Sequence, residues 1–473
     1  WRNRGAEIRN SKRAAVRSPQ YFFWPRISWT LVTPGNFSAR LFPIGTIIDT
    51  ASNCIYESCD QIDPEYLLGL NSSPVARILD ALNPTLNFSC GVIGNVPVLQ
   101  TTNAQKMWGD EAVQHSRKDW DAYERSWDFQ SLPLLTASTE PTPTLESSYT
   151  AWITQNKDTI AEMKRLEEEN NRLFIDAYGL ADELTPDVPI EQITLTVNPA
   201  YRYGGKLTEE EQWTRFRQDT MEELVSYAIG CMMGRYSLDA PGLIYAHSGN
   251  EGFDPSQYTT FGADDDGIVP LTDNEWFVDD ATQRLMAFVG VAFPDGAGTK
   301  NLEANLNFLA DNLSPKKSEF SRETIRRYLS DSYFKKHLQT YKNRPIYWLF
   351  SSGKTKAFQC LVYLHRYNEG TLSRMRNDYV IPLTSKLASH VATLEQEKDA
   401  SSATTDIKRL EKEITRLHKQ QAELSTFDEK LRHYADQRIA LDLDDGVKVN
   451  YGKFGDLLAE VKAVTGEKAE VRA

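Results

Sequence analysis

An α+β fold is predicted for these 473 residues: a mixed, β-rich N-terminal recognition module, a mixed middle region, and a helix-rich C-terminal part with a long helical hairpin. Three observations predict it. Short β-type runs alternate with Pro and Gly over the first hundred residues, charged helical periodicity begins at Asn103, and two long apolar-spaced stretches flank a turn near Ser401. With 40% hydrophobic and 25% charged residues, the chain can bury the cores of roughly two to four domains.

The elements follow in order. Residues 1–102 form the β-rich module, read from Tyr21 to Trp24, Phe37 to Phe42 and Gly45 to Asp49, with turn residues between them. Residues 103–180 are helical over Asn103 to Phe129 and Leu145 to Tyr178, separated by the linker LPLLTASTEPTPT from Leu132 to Thr144. Residues 181–382 mix helix and strand. In residues 383–473, Lys386 to Glu397 and Asp406 to Tyr434 read as two helices around the turn from Asp399 to Thr405. Ile407, Leu410, Ile414, Leu417, Leu424 and Leu431 take a/d spacing in the second helix, and Gln421 and Asp428 break the a series. Such a hairpin is predicted to be antiparallel and packed on itself.

Charge is segregated. From Ser314 to Arg366 there are 12 Lys/Arg and 3 Asp/Glu, a local +9 in a chain of formal charge -13. Residues 1–40 carry Arg2, Arg4, Arg9, Lys12, Arg13, Arg17, Arg26 and Arg40 against the single acid Glu7. Two cationic regions in an acidic remainder point to a groove for a polyanion, with lysine and arginine on phosphates and Tyr347, Trp348 and Phe350 stacking on bases. The competing structural reading makes those rings core and the lysines a solvated face. The stretch from Glu251 to Asp280 holds 9 acids and no Lys or Arg, so it is expected to face away from phosphate or to dock a basic partner.

Several chemical motifs are incomplete. Asn198-Pro-Ala-Tyr201 is one proline short of the N/D-P-P-Y/F signature in which a polar side chain and a proline carbonyl hold a target amine beside a flipped base. Val289 to Phe293 followed by Pro294-Asp-Gly-Ala-Gly298 has a weak strand, glycine loop, helix outline. Together these would make a permuted S-adenosylmethionine site. Asp264-Asp-Asp-Gly267 with Asp273 matches part of a calcium loop but starts on Gly262 and lacks the closing glutamate, so a solvated turn is expected. No histidine pair has metal-ligand spacing, and Ser351-Ser-Gly-Lys354 lacks the first glycine of a phosphate loop. No metal site and no catalytic residue is predicted.

The longest apolar stretch, Leu285 to Phe293, is about half of what a bilayer helix needs, so no membrane span is expected. The 5 cysteines are an odd number with no close C-x-x-C pair, so neither a disulfide framework nor a zinc ribbon is implied and a reducing cytoplasm is expected. Beginning at Trp1 without Met or a signal peptide, the chain is expected to be the C-terminal part of something longer.

A set of blocks together carries a family resemblance. They include Trp29 to Arg40, Ser126-Trp-Asp-Phe129 with Leu132 to Leu135, Gly230 to Asp239 and Gly267 to Phe277. Arg344 to Phe350 with Ser352-Gly-Lys354, Leu361 to Tyr367, Arg376 to Tyr379 and Leu441 to Asn450 complete the set. Spread over nearly the whole chain, they resemble the C-terminal region of PglX, the adenine-specific DNA methyltransferases of BREX phage-exclusion systems, which are related to fused restriction-modification enzymes. The resemblance implies that a methyltransferase core, with its glycine-rich motif and N-P-P-Y, lies upstream and is absent here, so that Asn198-Pro-Ala-Tyr201 is an accidental echo. It further implies a target-recognition and scaffolding role on double-stranded DNA, with other BREX components as partners. S-adenosylmethionine would be a cofactor of the full-length protein and not of this fragment, which is expected to be inactive alone.

DNA contacts are expected from Arg13, Arg17, Lys335, Lys336, Lys342, Arg344, Tyr347, Trp348 and Lys354. Arg26, Trp29, Ser38 and Arg40 of the N-terminal module are expected to supply sequence recognition, because arginine and serine can reach base edges. Two other readings stay open: a structural assembly subunit without DNA contact, and a small permuted methyltransferase complete in this chain.

Overall fold

The computed structural model describes residues 5–12, 14–83, 85–97, 99, 103–296 and 301–467. The chain divides into two compact units, residues 1–120 with 156–207, and residues 121–155 with 208–473. This division cuts across the four sequence segments, since the second unit takes its first 35 residues from inside the helical stretch.

The first unit is built on an antiparallel sheet in the order β2-β1-β3, with β1 Arg26–Thr30, β2 Ala39–Phe42 and β3 Ser52–Ile55. Ile27 pairs with Leu41 on one side and Ile55 on the other. Ile27, Trp29 and Ala39 point into a core completed by Leu70, Val75, Leu79 and Phe88. Helix α1, Ser73–Leu82, starts on a proline in its first turn and buries Val75 and Leu79 four residues apart, one helical turn. The run from Tyr21 to Trp24 is not a strand: a single 3-10 turn at Pro19–Tyr21 occupies its start. Gly45 to Asp49 is irregular as well, because Gly45 sits at φ 95 and turns the chain away from β2.

Helices α2, Asn103–Asp121, and α3, Leu145–Tyr178, occupy the stretches read as helical, and α2 ends earlier than Phe129. The reason is local. Ser126 donates to Asp121 Oδ1 at 2.5 Å and accepts from the Asp128 amide at 3.1 Å, which stabilises a turn in place of further helix.

The second unit opens on α4, Glu209–Met232, started by a capping box in which Thr208 accepts from the Glu211 amide and Glu211 accepts from the Thr208 amide. Its C-terminal half is buried nearly all round, from Leu224 to Met232. Helix α5, Ala281–Ala292, contains most of the apolar run Val289 to Phe293. That run therefore leads into the glycine-containing loop as a helix, and the strand, glycine loop, helix outline is not formed. A proline-free segment of 12 residues, Ala281–Ala292, with a cap at Asp280, whose carboxylate accepts from the Thr282 amide at 3.0 Å, favours helix over strand.

The central sheet has the order β4-β6-β5, with β4 Ile268–Pro270, β5 Tyr347–Ser351 and β6 Gln359–Tyr363, all antiparallel. Helix α6, Phe334–Thr340, leads into β5. Every residue of β6 is buried. Helices α7, Ile381–Ala400, and α8, Thr404–Asp436, form the hairpin, joined by the short link 401–403. Leu383, Leu387, Val391 and Leu394 of α7 are buried, as are Leu410, Ile414, Leu417, Leu424 and Leu431 of α8. The seam differs from strict heptads at two places. Gln420 and Phe427 are buried where the heptad register placed Gln421 and Asp428, because a straight helix drifts by about 20° per heptad.

One buried cation ties β6 to the loop before β4. Arg366, 1% exposed, donates to the carbonyls of Asp264 at 2.5 Å and Asp265 at 2.8 Å and to Asn250 Oδ1 at 2.9 Å, with its guanidinium 3.7 Å from the Phe253 ring centroid. Gly267, at φ 74, lies against it, and a Cβ there would meet Arg366 Cβ at 3.0 Å. Replacing Arg366 by Met would leave these carbonyls buried and unpaired. The expected loss is about 2–4 kcal/mol of unfolding free energy, measured by urea denaturation.

Candidate nucleic-acid interface

The basic stretch from Ser314 to Arg366 is only partly free. Arg322 pairs with Glu275 at 2.9 Å, Arg326 with Asp280 at 2.9 Å and Arg327 with Glu319 at 2.8 Å. Lys336, expected on phosphate, lies between Asp219 at 2.9 Å and Glu222 at 2.6 Å, and Lys356 pairs with Asp331. Arg366 is in the core. The acids that neutralise this stretch include Glu275 and Asp280, so the acidic block from Glu251 to Asp280 serves as a docking partner for the chain's own arginines. Among the described residues, what remains of the stretch exposed and without an ion pair is Lys316, Lys317, Lys335, Lys342, Arg344 and Lys354.

The aromatic half of the expectation is corrected. Tyr347, Trp348 and Phe350 are each 0% exposed, Tyr347 on one face and Trp348 and Phe350 on the other of a strand enclosed on both. Trp348 donates from Nε1 to the Pro345 carbonyl at 3.0 Å and meets the rings of Tyr451 and Phe454 edge-on. Tyr347 stacks against His337 at 5.0 Å between centroids. These rings hold the sheet together and are closed to base stacking. His337 is equally structural: Nε2 accepts from the amides of Ile346 at 3.1 Å and Tyr347 at 3.2 Å, and burial lowers its pKa to about 3.

The N-terminal candidates separate in the same way. Arg26, 3% exposed, donates to Thr46 Oγ1 at 2.8 Å and covers the Phe42 ring at 5.0 Å. Trp29, 3% exposed, donates to the Phe88 carbonyl at 2.8 Å and is core. Neither can reach a base, since each lies on the central strand of a three-stranded sheet with its side chain packed under neighbouring elements. Ser38, Arg17 and Arg40 are exposed. Arg40 nevertheless spends its guanidinium locally, on the Ala39 carbonyl at 2.9 Å and Thr194 Oγ1 at 3.0 Å. Arg13 lies outside the described residues. Sequence reasoning passed over three exposed polar residues of this stretch, Lys316, Lys317 and Asn343. Pro345, just past the end of α6, was the one local sign that an exposed turn lies there.

The degenerate catalytic motif is spent on its own backbone. Asn198, 1% exposed, accepts from the Ala200 amide at 3.2 Å and donates to the carbonyls of Ile190 at 2.7 Å and Ile193 at 2.8 Å. It caps the short helix Pro199–Tyr203, and both ends of its amide are occupied. Asp264 likewise accepts from the amides of Asp266, Gly267 and Ile268 through Oδ1, forming a turn. Among the described residues no His, Cys, Asp and Glu cluster has metal-binding geometry, and no helix is long and apolar enough to cross a membrane. An open cavity of about 950 Å³ is lined by acids, among them Asp266, Asp279 and Asp378, together with Arg374, Lys386 and Tyr379.

Fold and surface together define a class: an α+β chain whose second unit carries exposed cations on turns and on a helix surface, and in which Asn198 is engaged as a helix cap. Comparison with known proteins sharpens this. The chain is 42% identical over 99% of its length to an adenine-specific methyltransferase, BrxX, of Escherichia coli O9:H4 strain HS. It is 36% identical over 96% of its length to an adenine-specific methyltransferase, PglX, of Lacticaseibacillus casei strain Zhang. It spans 39% and 37% of the length of these curated relatives. No family model matches.

Buried aromatics and exposed lysines predict opposite mutational responses. Trp348→Ala is expected to cost about 3–5 kcal/mol of stability, as a large core truncation. Lys335→Gln should change it by no more than about 0.5 kcal/mol. Lys336→Gln should cost about 0.5–1 kcal/mol, its two partners being screened by solvent. Denaturant titration of the three variants checks the order.

Asp264 supplies a pH test. Burial, with the Asp266 carboxyl beside it, pushes its pKa up to about 7. A carboxyl raised in the folded state holds its proton there, and the stability this gives is lost as pH rises through about 7. The stability of Asp264→Asn relative to the natural chain should therefore increase from pH 5 to pH 8, read as the difference in urea midpoints.

Proposed function

We propose that this chain is the DNA-binding, target-recognition portion of a site-specific adenine-N6 DNA methyltransferase of a BREX anti-phage system, working in the cytoplasm with other BREX components. In the whole enzyme S-adenosylmethionine would supply the methyl group, and the glycine-rich and N-P-P-Y machinery would lie in a part of the protein outside these residues. The observation that carries the reading is the set of exposed, ion-pair-free cations, Lys316, Lys317, Lys335, Lys342, Arg344 and Lys354, in a stretch where every other cation is neutralised or buried. Solvated cations left unpaired beside paired ones are available to neutralise phosphate, and each contact releases counterions.

The similarity to two adenine-specific methyltransferases over almost the whole chain supports the same reading. The saturated amide of Asn198 speaks against a second methyl-transfer centre inside the chain, since a flipped adenine would find neither acceptor nor donor free there. Binding by cationic side chains supplies affinity and register, and base-edge contacts must supply sequence choice.

The chain should bind duplex DNA with affinity that falls by orders of magnitude between about 50 and 200 mM salt. Fluorescence anisotropy measures this, and salt-independent or absent binding would favour an assembly subunit without DNA contact. Calorimetry should detect no S-adenosylmethionine binding by the same sample, whereas micromolar binding would restore the permuted-enzyme reading.

A further inference from the structure

The turn from α6 to β5 is built in an expensive way. The Asn343 amide donates to the Leu338 carbonyl at 2.8 Å and the Lys342 amide to the Gln339 carbonyl at 3.2 Å, the paired bonds of a Schellman helix end. That motif needs a left-handed residue after the last helical turn, a place glycine fills without steric cost. Here it is Lys342, at φ 50, and Asn343 follows at φ 58. Two successive side chains with Cβ atoms are held where L-residues are disfavoured. Asparagine tolerates this region; lysine does not share that ease.

Both sides of the turn are anchored. The Arg344 amide donates to the Tyr341 carbonyl at 3.0 Å, His337 Nε2 holds the amides of Ile346 and Tyr347, and Trp348 Nε1 holds the Pro345 carbonyl. Pro345 itself is buried. Between these anchors Lys342, Asn343 and Arg344 are all exposed, and among the described residues none of their side chains has a hydrogen-bond or ion-pair partner. A rigid base thus presents three free polar side chains in succession, a cation, an amide and a guanidinium, with strain the fold would shed by using glycine. Strained, over-determined backbone with unspent polar side chains is the signature of a binding element.

Resting on the DNA-binding reading above, we infer that the Lys342-Asn343-Arg344 turn is the sequence-reading element of this chain, with Asn343 and Arg344 on base edges and Lys342 on the adjoining phosphate. The chemistry fits the roles. An asparagine amide can pair with both N6 and N7 of adenine, and an arginine fork with O6 and N7 of guanine in the major groove, whereas a lysine serves as a point charge on phosphate. Recognition is thereby moved from Arg26 and Trp29, which are core, to a site in the other compact unit.

The test uses the full chain, a pool of random-sequence duplexes and sequencing of the bound fraction, together with anisotropy and thermal melting. Asn343→Gly and Arg344→Ala should each flatten the sequence preference by about tenfold at one or two base positions while leaving most of the affinity for the pool. Lys342→Gly should raise the melting temperature, through relief of the left-handed strain, and weaken binding to all sequences alike with a shallower salt dependence. If the natural chain binds no duplex, the DNA-binding reading itself fails. If it binds with a preference that Asn343→Gly and Arg344→Ala leave unchanged, that reading stands and the turn is not its reading element. A Lys342→Gly variant that melts higher with unaltered binding would remove Lys342 from the interface.

Discussion

The second unit depends on the complete burial of the strand Tyr347-Trp348-Leu349-Phe350 beside a strand, Gln359–Tyr363, that is buried along its whole length. A sheet closed on both faces gains from every aromatic side chain it encloses and must in return find a partner for each polar group it takes from water. The partners are specific. Trp348 uses the Pro345 carbonyl, the amides entering β5 use a neutral His337, and the loop before β4 uses the guanidinium of Arg366. Helix α8 reaches the β5–β6 turn through Glu423, which accepts from Ser352 at 2.8 Å and from the Thr355 amide at 2.7 Å, and from the ends of the sheet the exposed turns project.

Charge in this chain has two uses that a count along the sequence does not separate. Cations such as Arg326 and Lys336 face Asp280, Asp219 and Glu222, where they compensate buried or half-buried carboxylates and have little left for a ligand. Cations such as Lys335, Lys342 and Arg344 are exposed and, among the described residues, form no ion pair. The acidic stretch from Glu251 to Asp280 belongs to the first use: Asp264 organises a turn, Asp273 accepts from Arg416 and Gln420, and Asp280 caps α5 and receives Arg326.

The same economy disposes of the motifs that resemble chemistry. An asparagine followed by a proline is a helix-starting device before it is a catalytic one, and Asn198 is fully employed as a cap. An apolar run followed by glycines becomes a phosphate site only when the run is a strand, and Val289 and its neighbours belong to a helix.

The sequence by itself determined the α+β class, the long helices over Leu145–Tyr178 and Thr404–Asp436, the self-packed hairpin and the polarity of its segments, because those properties follow from local periodicity and composition. It also carried, in blocks spread along the chain, the likeness to adenine-specific methyltransferases. The tertiary structure alone decided which members of an aromatic-basic stretch are core and which are surface. In a strand buried on both faces, alternation no longer marks an outside, so Tyr347 and Trp348 read like stacking residues until the sheet is seen to close over them. It decided, too, which cations are free, since Asp219 lies more than a hundred residues from Lys336. The left-handed turn at Lys342 and Asn343 was beyond sequence for the same reason: a lysine that disfavours that backbone and the asparagine after it are held in it by bonds to α6 on one side and by the buried sheet on the other.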